Sequence, residues 1–167
     1  MSAITAAAKD WVQRLGTYQP GRPIEEVARE LGLGDPSSII KLASNENALG
    51  PSPRAIEAMQ LAADRMHIYP DGDTFYLRQA LAAKLGLPES HLFFGHGSNE
   101  IIALLGHIYL GKGTSVVASE QAFVVYKLVA ALYEAETIEV PMRDFTHDLD
   151  AMLAAIRPDT RLVFIAN

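Results

Sequence analysis

The stretch His91-Leu-Phe-Phe-Gly-His-Gly-Ser-Asn-Glu100 decides the fold class, because an apolar run passes through two glycines into a helical pattern. The run from His91 to Phe94 is short and aromatic, which is typical of a buried strand. Four apolar residues then follow at helical spacing: Ile101, Leu104, Leu105 and Ile108. A strand that leads through a glycine turn into a helix predicts an α/β fold.

The rest of the chain continues this alternation. Three more apolar runs are predicted as buried strands: Thr114 to Ala118, Thr137 to Val140 and Arg161 to Ile165. Val124 to Tyr133 starts with valines that would suit a strand, but its apolar residues keep the 3.6 period and predict a helix. Asp148 then caps a last helix that Pro158 ends. Alternating strands and helices predict a mostly parallel sheet.

Three helical patterns precede this region. One follows Pro23 and stops at Gly32, a second begins at Ser52-Pro53, and a third is closed by Gly86 and can be capped by Thr74. The last strand simply stops, although ligand groups in open α/β sheets lie just beyond the carboxyl ends of the strands. We therefore expect the chain to be the front part of a larger fold.

Composition excludes several classes of function. The 167 residues include no cysteine, which argues against a disulfide scaffold, an iron-sulfur protein or a thiol nucleophile and favours a cytoplasmic protein. A net charge of -6 without any run of Lys or Arg argues against a nucleic-acid partner. The most apolar helical stretch, Ile101 to Leu110, is half the length that spans a bilayer, so no membrane partner is expected.

The turn from Gly95 to Ser98 is the strongest candidate for ligand chemistry. A helix N-terminus offers unpaired N–H groups and the positive end of the helix dipole, and glycines leave room for a phosphate. The alternative is an ordinary glycine-rich turn in which Ser98 or Asn99 caps the helix. It is no dinucleotide fingerprint, because Glu100 stands where the third glycine belongs.

Other polar residues give weaker signals. Tyr69 adjoins a turn that Pro70 and Gly72 specify, and Asn45-Glu46-Asn47 opens a polar loop. The five histidines show no spacing typical of metal ligands, so we predict no metal site and keep only His96 near the candidate turn.

Six motifs, taken in order, resemble the histidinol-phosphate aminotransferase family of class I/II pyridoxal 5′-phosphate (PLP) enzymes. The stretch from Tyr18 to Val27 also looks like that family's N-terminal arm, so the resemblance covers the chain from about Tyr18 onward. The six motifs are Asn45-Glu46-Asn47, Tyr69 to Gly72, Gly95 to Glu100, Ala122 to Tyr126, Asp148-Leu149-Asp150 and Leu162 to Asn167.

The resemblance implies a fold, an activity and an assembly. The fold is the first half of the large domain of fold type I, three αβα layers around a mostly parallel sheet, after a helical N-terminal arm. Residues 1–50 would be the arm and the substrate-side loop, and residues 51–167 the front part of the PLP-binding domain. The activity is amino transfer between L-glutamate and imidazole acetol phosphate in histidine biosynthesis. The family's active site belongs to a homodimer.

The resemblance also implies roles for single residues. Ser98 and Asn99 would donate hydrogen bonds to the PLP phosphate, with Glu100 stabilised in the first helical turn. Phe123 would stack on the pyridine ring. Tyr69 would reach the phosphate of the neighbouring subunit's cofactor. The substrate would lie near Tyr18 and the loop that contains Asn47.

No catalytic residue is expected in this chain. In the family the Schiff-base lysine follows the strand that ends here at Asn167, and none of the five lysines stands in its context, so the 167 residues alone are predicted to be inactive. Three alternatives stay open: another class I/II aminotransferase, a phospho-amino-acid decarboxylase, and a non-catalytic α/β interaction module.

Overall fold

The computed structural model describes residues 7–166, and the predicted last residue of the final motif, Asn167, lies outside them. The chain divides into two compact units, one formed by residues up to Tyr18 and from Gly95 onward, the other by Gln19 to Phe94. In chain order the α-helices are α1 Asp10–Gln13, α2 Ile24–Leu31, α3 Pro53–Ala62, α4 Phe75–Leu85, α5 Ser98–Tyr109, α6 Val125–Leu132 and α7 Leu149–Ala154. The strands are β1 Ser115–Ser119, β2 Glu136–Val140 and β3 Thr160–Phe164.

The unit from Gln19 to Phe94 contains α2, α3 and α4, as predicted. Both Gly32 and Gly86 end their helices with a φ of 66°, a left-handed conformation that glycine adopts without strain. Three short 3₁₀ helices complete this unit: Pro36–Ser38, Ala63–Arg65 and Glu89–His91.

Thr74 was predicted to cap α4, and this prediction is wrong. The hydroxyl of Thr74 donates to the carbonyl of Asp73 and does not cap the helix. Instead the carboxylate of Asp71 accepts from the backbone N–H groups of Phe75 at 2.8 Å and Asp73 at 3.0 Å. A carboxylate suits the positive end of the helix dipole, so the turn at Pro70 supplies the cap from four residues upstream.

The predicted strand from His91 to Phe94 is also wrong. His91 ends a 3₁₀ helix and the residues after it form no strand. The guanidinium of Arg78 donates to the carbonyls of Glu89 and Leu92 and lies 5.2 Å from the ring centre of Phe94. Within the run, Arg78 pairs the carbonyl of Leu92 in place of a neighbouring strand. Phe93 is 71% exposed, so the run is also not buried as its composition predicted.

The predicted parallel sheet is confirmed. Its strand order is β2-β1-β3, and β1 pairs in parallel with both neighbours. Every residue of β1 is buried, which explains the continuous apolar run in its sequence.

Helices cover both faces of this sheet. Val117 packs with Val140 and with Met152 of α7. Phe164, which pairs in register with Ala118, packs against the cluster that joins α5 and α6. Successive residues of a strand point to opposite faces, so Val117 and Phe164 mark the two faces and the unit has three layers. Within residues 7–166 no helix is long and apolar enough to cross a membrane.

Candidate functional site

The turn before α5 is open at the N-terminus of the helix. Gly97 has a φ of 85°, which favours glycine, and a Cβ added there would meet no atom within 4 Å. Ser98 and Asn99, both exposed, form the start of α5, where the first N–H groups have no partner within the helix. The positive end of the helix dipole therefore faces space in which an anion can approach these N–H groups.

The carboxylate of Glu100 turns back from this space towards the preceding residues. Its Oε2 accepts from the backbone N–H of His96 at 2.6 Å and lies 3.0 Å from the Nδ1 of the same residue. The same oxygen would lie 2.8 Å from a Cβ on Gly95, so that position needs glycine for space. The bond from the His96 backbone, followed by that from its side chain, lowers the pKa of Glu100 below its ordinary value.

The packing of α5 on α6 places Phe123 at the same end of the unit as the turn. Ile102, in the early part of α5, shares a core cluster with Val125, the first residue of α6. Further along, a Cβ on Gly106 would clash with the side chain of Val129. The two helices therefore run in the same direction, and Phe123, just before α6, lies at the end where α5 begins.

Three aromatic rings lie together here, those of Phe123, Tyr126 and Phe164, and we call them the aromatic wall. The ring of Phe123 meets Tyr126 edge-on at 5.8 Å, and Tyr126 stacks on Phe164 with centroids 4.2 Å apart. Phe164 is the last residue of β3, so the aromatic wall stands at the carboxyl edge of the parallel sheet. Phe123 is 37% exposed and offers a surface for a flat ring.

One polar pair at this edge was not predicted from the sequence. The Oγ of Ser119, the last residue of β1, lies 2.5 Å from Nδ1 of His147, and the Nε2 of that ring lies 2.7 Å from the carbonyl oxygen of Ala166. Ser119 is completely buried. The serine at the end of β1 was the available signal, but its partner is 28 residues away in sequence.

The other predicted site residues lie apart from this edge in sequence. Tyr69 is 98% exposed, and Tyr18 is 45% exposed. Asn47 is held within its loop, since its Oδ1 accepts from Leu49 N–H and its Nδ2 donates to the carbonyl of Gly50. Their proposed contacts with cofactor and substrate stay predictions. No group of His, Cys, Asp or Glu that could hold a metal ion occurs among residues 7–166.

Comparisons with known proteins agree on one family. The profile of the family described as "Aminotransferase class I and II" matches residues 37–167. A histidinol-phosphate aminotransferase of Moorella thermoacetica is 47% identical over 165 residues, which are 99% of this chain and 42% of that protein. The one of Methylobacillus flagellatus is 53% identical over 156 residues, 93% of this chain and 42% of that protein. The chain thus spans less than half the length of these relatives.

A solved structure supports the same comparison. The histidinol-phosphate aminotransferase of Sinorhizobium meliloti, crystallised in complex with pyridoxal-5′-phosphate, superposes with a TM-score of 0.73 at 26% identity. The match covers 90% of this chain and 39% of that one. The predicted fold class, a partial large domain of fold type I, is therefore confirmed.

Proposed function

Because the chain belongs to the class I and II aminotransferases, we propose that it is the amino-terminal part of a PLP-dependent histidinol-phosphate aminotransferase. The reaction is amino transfer between L-glutamate and imidazole acetol phosphate, a step of histidine biosynthesis in the cytoplasm. The observation that carries this proposal is the 47% and 53% identity to two relatives that bear the name.

The residues of the candidate site fit the chemical groups of PLP. The phosphate ester is an anion, and the open turn at Gly97 presents helix N–H groups and the Ser98 hydroxyl to it. The pyridine ring is flat and aromatic, and Phe123 offers a partly exposed ring at the same end of the unit. When bound, PLP supplies the electron sink that amino transfer needs.

We assign the chain's own residues to binding and orientation. Ser98 and Asn99 donate hydrogen bonds to the phosphate. Phe123 stacks on the ring and keeps water from one of its faces. Glu100 holds the start of α5 in place through its bonds to His96, so that the donors stay aligned.

The proposal also includes a homodimer. Tyr69 of one subunit donates its phenolic O–H to the cofactor phosphate of the other subunit, in keeping with its almost complete exposure within a single chain. Tyr18 and Asn47 contact the substrate. None of the five lysines of these 167 residues is assigned the covalent bond to the cofactor.

Binding of pyridoxine 5′-phosphate tests the cofactor assignment. This compound carries the phosphate and the ring but lacks the aldehyde, so reaction with surface lysines does not contribute to its binding. The chain should bind it at least tenfold more tightly than pyridoxine, which has no phosphate, and Ser98→Ala should reduce this preference. Ser52→Ala is the matched control, because Ser52 also stands at the start of a helix, but Pro53 at the first position of α3 has no N–H to donate. Equal affinity for the two compounds would contradict the proposal.

The coding sequence beyond Asn167 tests the proposed activity. A continuation with Asn-Pro-Thr-Gly and a later Ser-x-x-Lys would supply the loop and the lysine of the family. An immediate stop codon would contradict an enzyme and favour a non-catalytic module.

A further inference from the structure

The imidazole of His147 bridges the ends of two neighbouring strands. Its Nδ1 lies 2.5 Å from the Oγ of Ser119 at the end of β1, and its Nε2 lies 2.7 Å from the carbonyl oxygen of Ala166, just after β3. The ring therefore ties together the two strand exits at the carboxyl edge of the sheet.

These contacts favour one tautomer of the neutral ring. A carbonyl oxygen only accepts hydrogen bonds, so Nε2 of His147 carries the hydrogen that it donates to Ala166. In the neutral ring Nδ1 is then an acceptor, and the hydroxyl of Ser119 donates to it. Met152 Sδ lies 3.4 Å from the same Oγ, but a thioether is the weaker acceptor. The neutral Nε2–H form satisfies the buried hydroxyl, the ring and the carbonyl together.

The opposite end of β1 provides a natural comparison. Ser115 is also completely buried, and its Oγ lies 3.0 Å from the Oγ1 of Thr160, the first residue of β3. Both ends of the β1-β3 pair are thus tied through a buried serine. Only the end tied by Ser119 and His147 lies at the edge where Phe164 stacks in the aromatic wall.

We propose that His147 is a positioning residue of the cofactor site. It holds the exit of β3 against β1, so that Phe164 stays stacked on Tyr126 and Phe123 keeps its orientation towards the cofactor ring. His147 acts through the aromatic wall and needs no contact with the cofactor. This inference rests on the proposed function, because it assigns the wall to the cofactor ring.

The form of the ring is tested without any ligand. Long-range ¹H-¹⁵N spectra of the labelled chain distinguish a neutral ring with hydrogen on Nε2 from one with hydrogen on Nδ1. We expect the Nε2–H form for His147, and the Nδ1–H form would overturn the bridge. In His147→Ala the ring protons of Tyr126 should also shift, because the stack on Phe164 loosens, whereas Ser115→Ala should leave them in place.

The effect on the site is tested with pyridoxine 5′-phosphate. His147→Ala should weaken its binding about three- to tenfold, the loss that one hydrogen bond accounts for. His147→Gln keeps an N–H that can donate to Ala166 and should recover most of the affinity. Ser115→Ala removes an equally buried hydroxyl at the other end of β1 and should leave the affinity unchanged.

The outcomes separate the inference from the proposed function. Absence of binding by the unsubstituted chain would contradict the cofactor assignment. In that case the tautomer of His147 and the shifts of the Tyr126 ring protons would test the bridge by themselves. Unchanged affinity in His147→Ala would overturn the positioning role, as would an equal loss in Ser115→Ala. If His147→Ala fails to fold, Ser119→Ala replaces it, with an expected loss of about two- to threefold.

Discussion

Tyr126 and Phe164 stack almost in parallel, with ring centroids 4.2 Å apart and an interplanar angle of 5°. Tyr126 lies in the first turn of α6, and Phe164 ends β3, an outer strand of the sheet within residues 7–166. The stack therefore joins β3 to α6, the helix that Phe123 directly precedes. The stability of the sheet at β3 therefore affects the geometry of the candidate site.

The stack should contribute measurable coupling energy. In a double-mutant cycle of Tyr126→Leu and Phe164→Leu, we expect a coupling of about 0.5–1.5 kcal/mol beyond the area that the rings bury. Urea unfolding of the four proteins measures it. Phe75 and Tyr76 form the control pair, because their rings are edge-on and exposed and should couple more weakly. Equal coupling in both pairs would contradict a special role for the stack.

Gly106 should resist replacement although it lies within a helix. Alanine there gains about 1 kcal/mol of helix propensity but places a Cβ against the side chains of Val129 and Tyr133. Because overpacking of this kind costs about 1–3 kcal/mol, we expect Gly106→Ala to lower the free energy of unfolding. Gly111→Ala, where a Cβ meets nothing within 4 Å, is the control and should have little effect.

Glu100 should stabilise the chain in a pH-dependent way. Its pKa is lower in the folded chain than its ordinary value because the backbone and side chain of His96 donate to it. A lowered folded pKa means that the stabilisation is complete above the unfolded pKa and is lost as the pH falls through the folded pKa. Glu100→Gln should therefore destabilise the chain at neutral pH and make no difference in strong acid.

Urea unfolding at both pH values, with a carboxyl titration of Glu100 by NMR, measures this effect. Glu57→Gln on α3 controls for the loss of one negative charge. A Glu100 titration at or above the ordinary carboxyl value would contradict the prediction.

The 167 residues by themselves should not catalyse amino transfer. None of their lysines stands in the sequence context that bonds to PLP in the family. Incubation with PLP, reduction with borohydride and mass spectrometry should reveal no single lysine that is labelled stoichiometrically. Turnover of glutamate with a keto acid by the purified chain would refute this expectation.

Tyr69 should act on the site of the other subunit. In the proposed dimeric enzyme, Tyr69→Phe would remove the proposed hydrogen bond to the charged phosphate and should weaken PLP retention by about one to two orders of magnitude. Heterodimers with the substitution in one subunit locate the effect. The loss should occur at the site of the unsubstituted partner, and a loss only in the substituted subunit would rule out the contact between subunits. Tyr76→Phe, also at an exposed tyrosine, is the control.

Much of the fold was predictable because local signals and tertiary structure agree. The helix Ile24–Leu31 lies between Pro23 and Gly32, and the apolar run of β1 is buried on both faces as its composition predicts. The run from His91 to Phe94 forms no strand; the guanidinium of Arg78 pairs the carbonyl of Leu92, and Phe93 is exposed. Arg78 lies 14 residues upstream of Leu92, and no periodic pattern in the sequence indicates this contact.

The candidate site was predictable only where its chemistry is local. The glycines, the serine and the helix start from Gly95 to Ser98 are consecutive, so their geometry follows from their order. His147 is different, since its partners are Ser119 and Ala166 and the bridge forms only when β1 and β3 pair. An isolated histidine before a capping aspartate gave no indication of it.

The central position of β1 sets an order of events during synthesis. Both strands that pair with it are made later, and Thr160 follows Ser115 by 45 residues. At about 5–20 residues per second, β1 waits roughly 2–9 s for its second neighbour. During that interval Val116 and Val117, which end up completely buried, lie in a strand with an unpaired edge. The middle of the sheet is thus a segment of the nascent chain that is exposed to aggregation and to capture by chaperones until its partners are made.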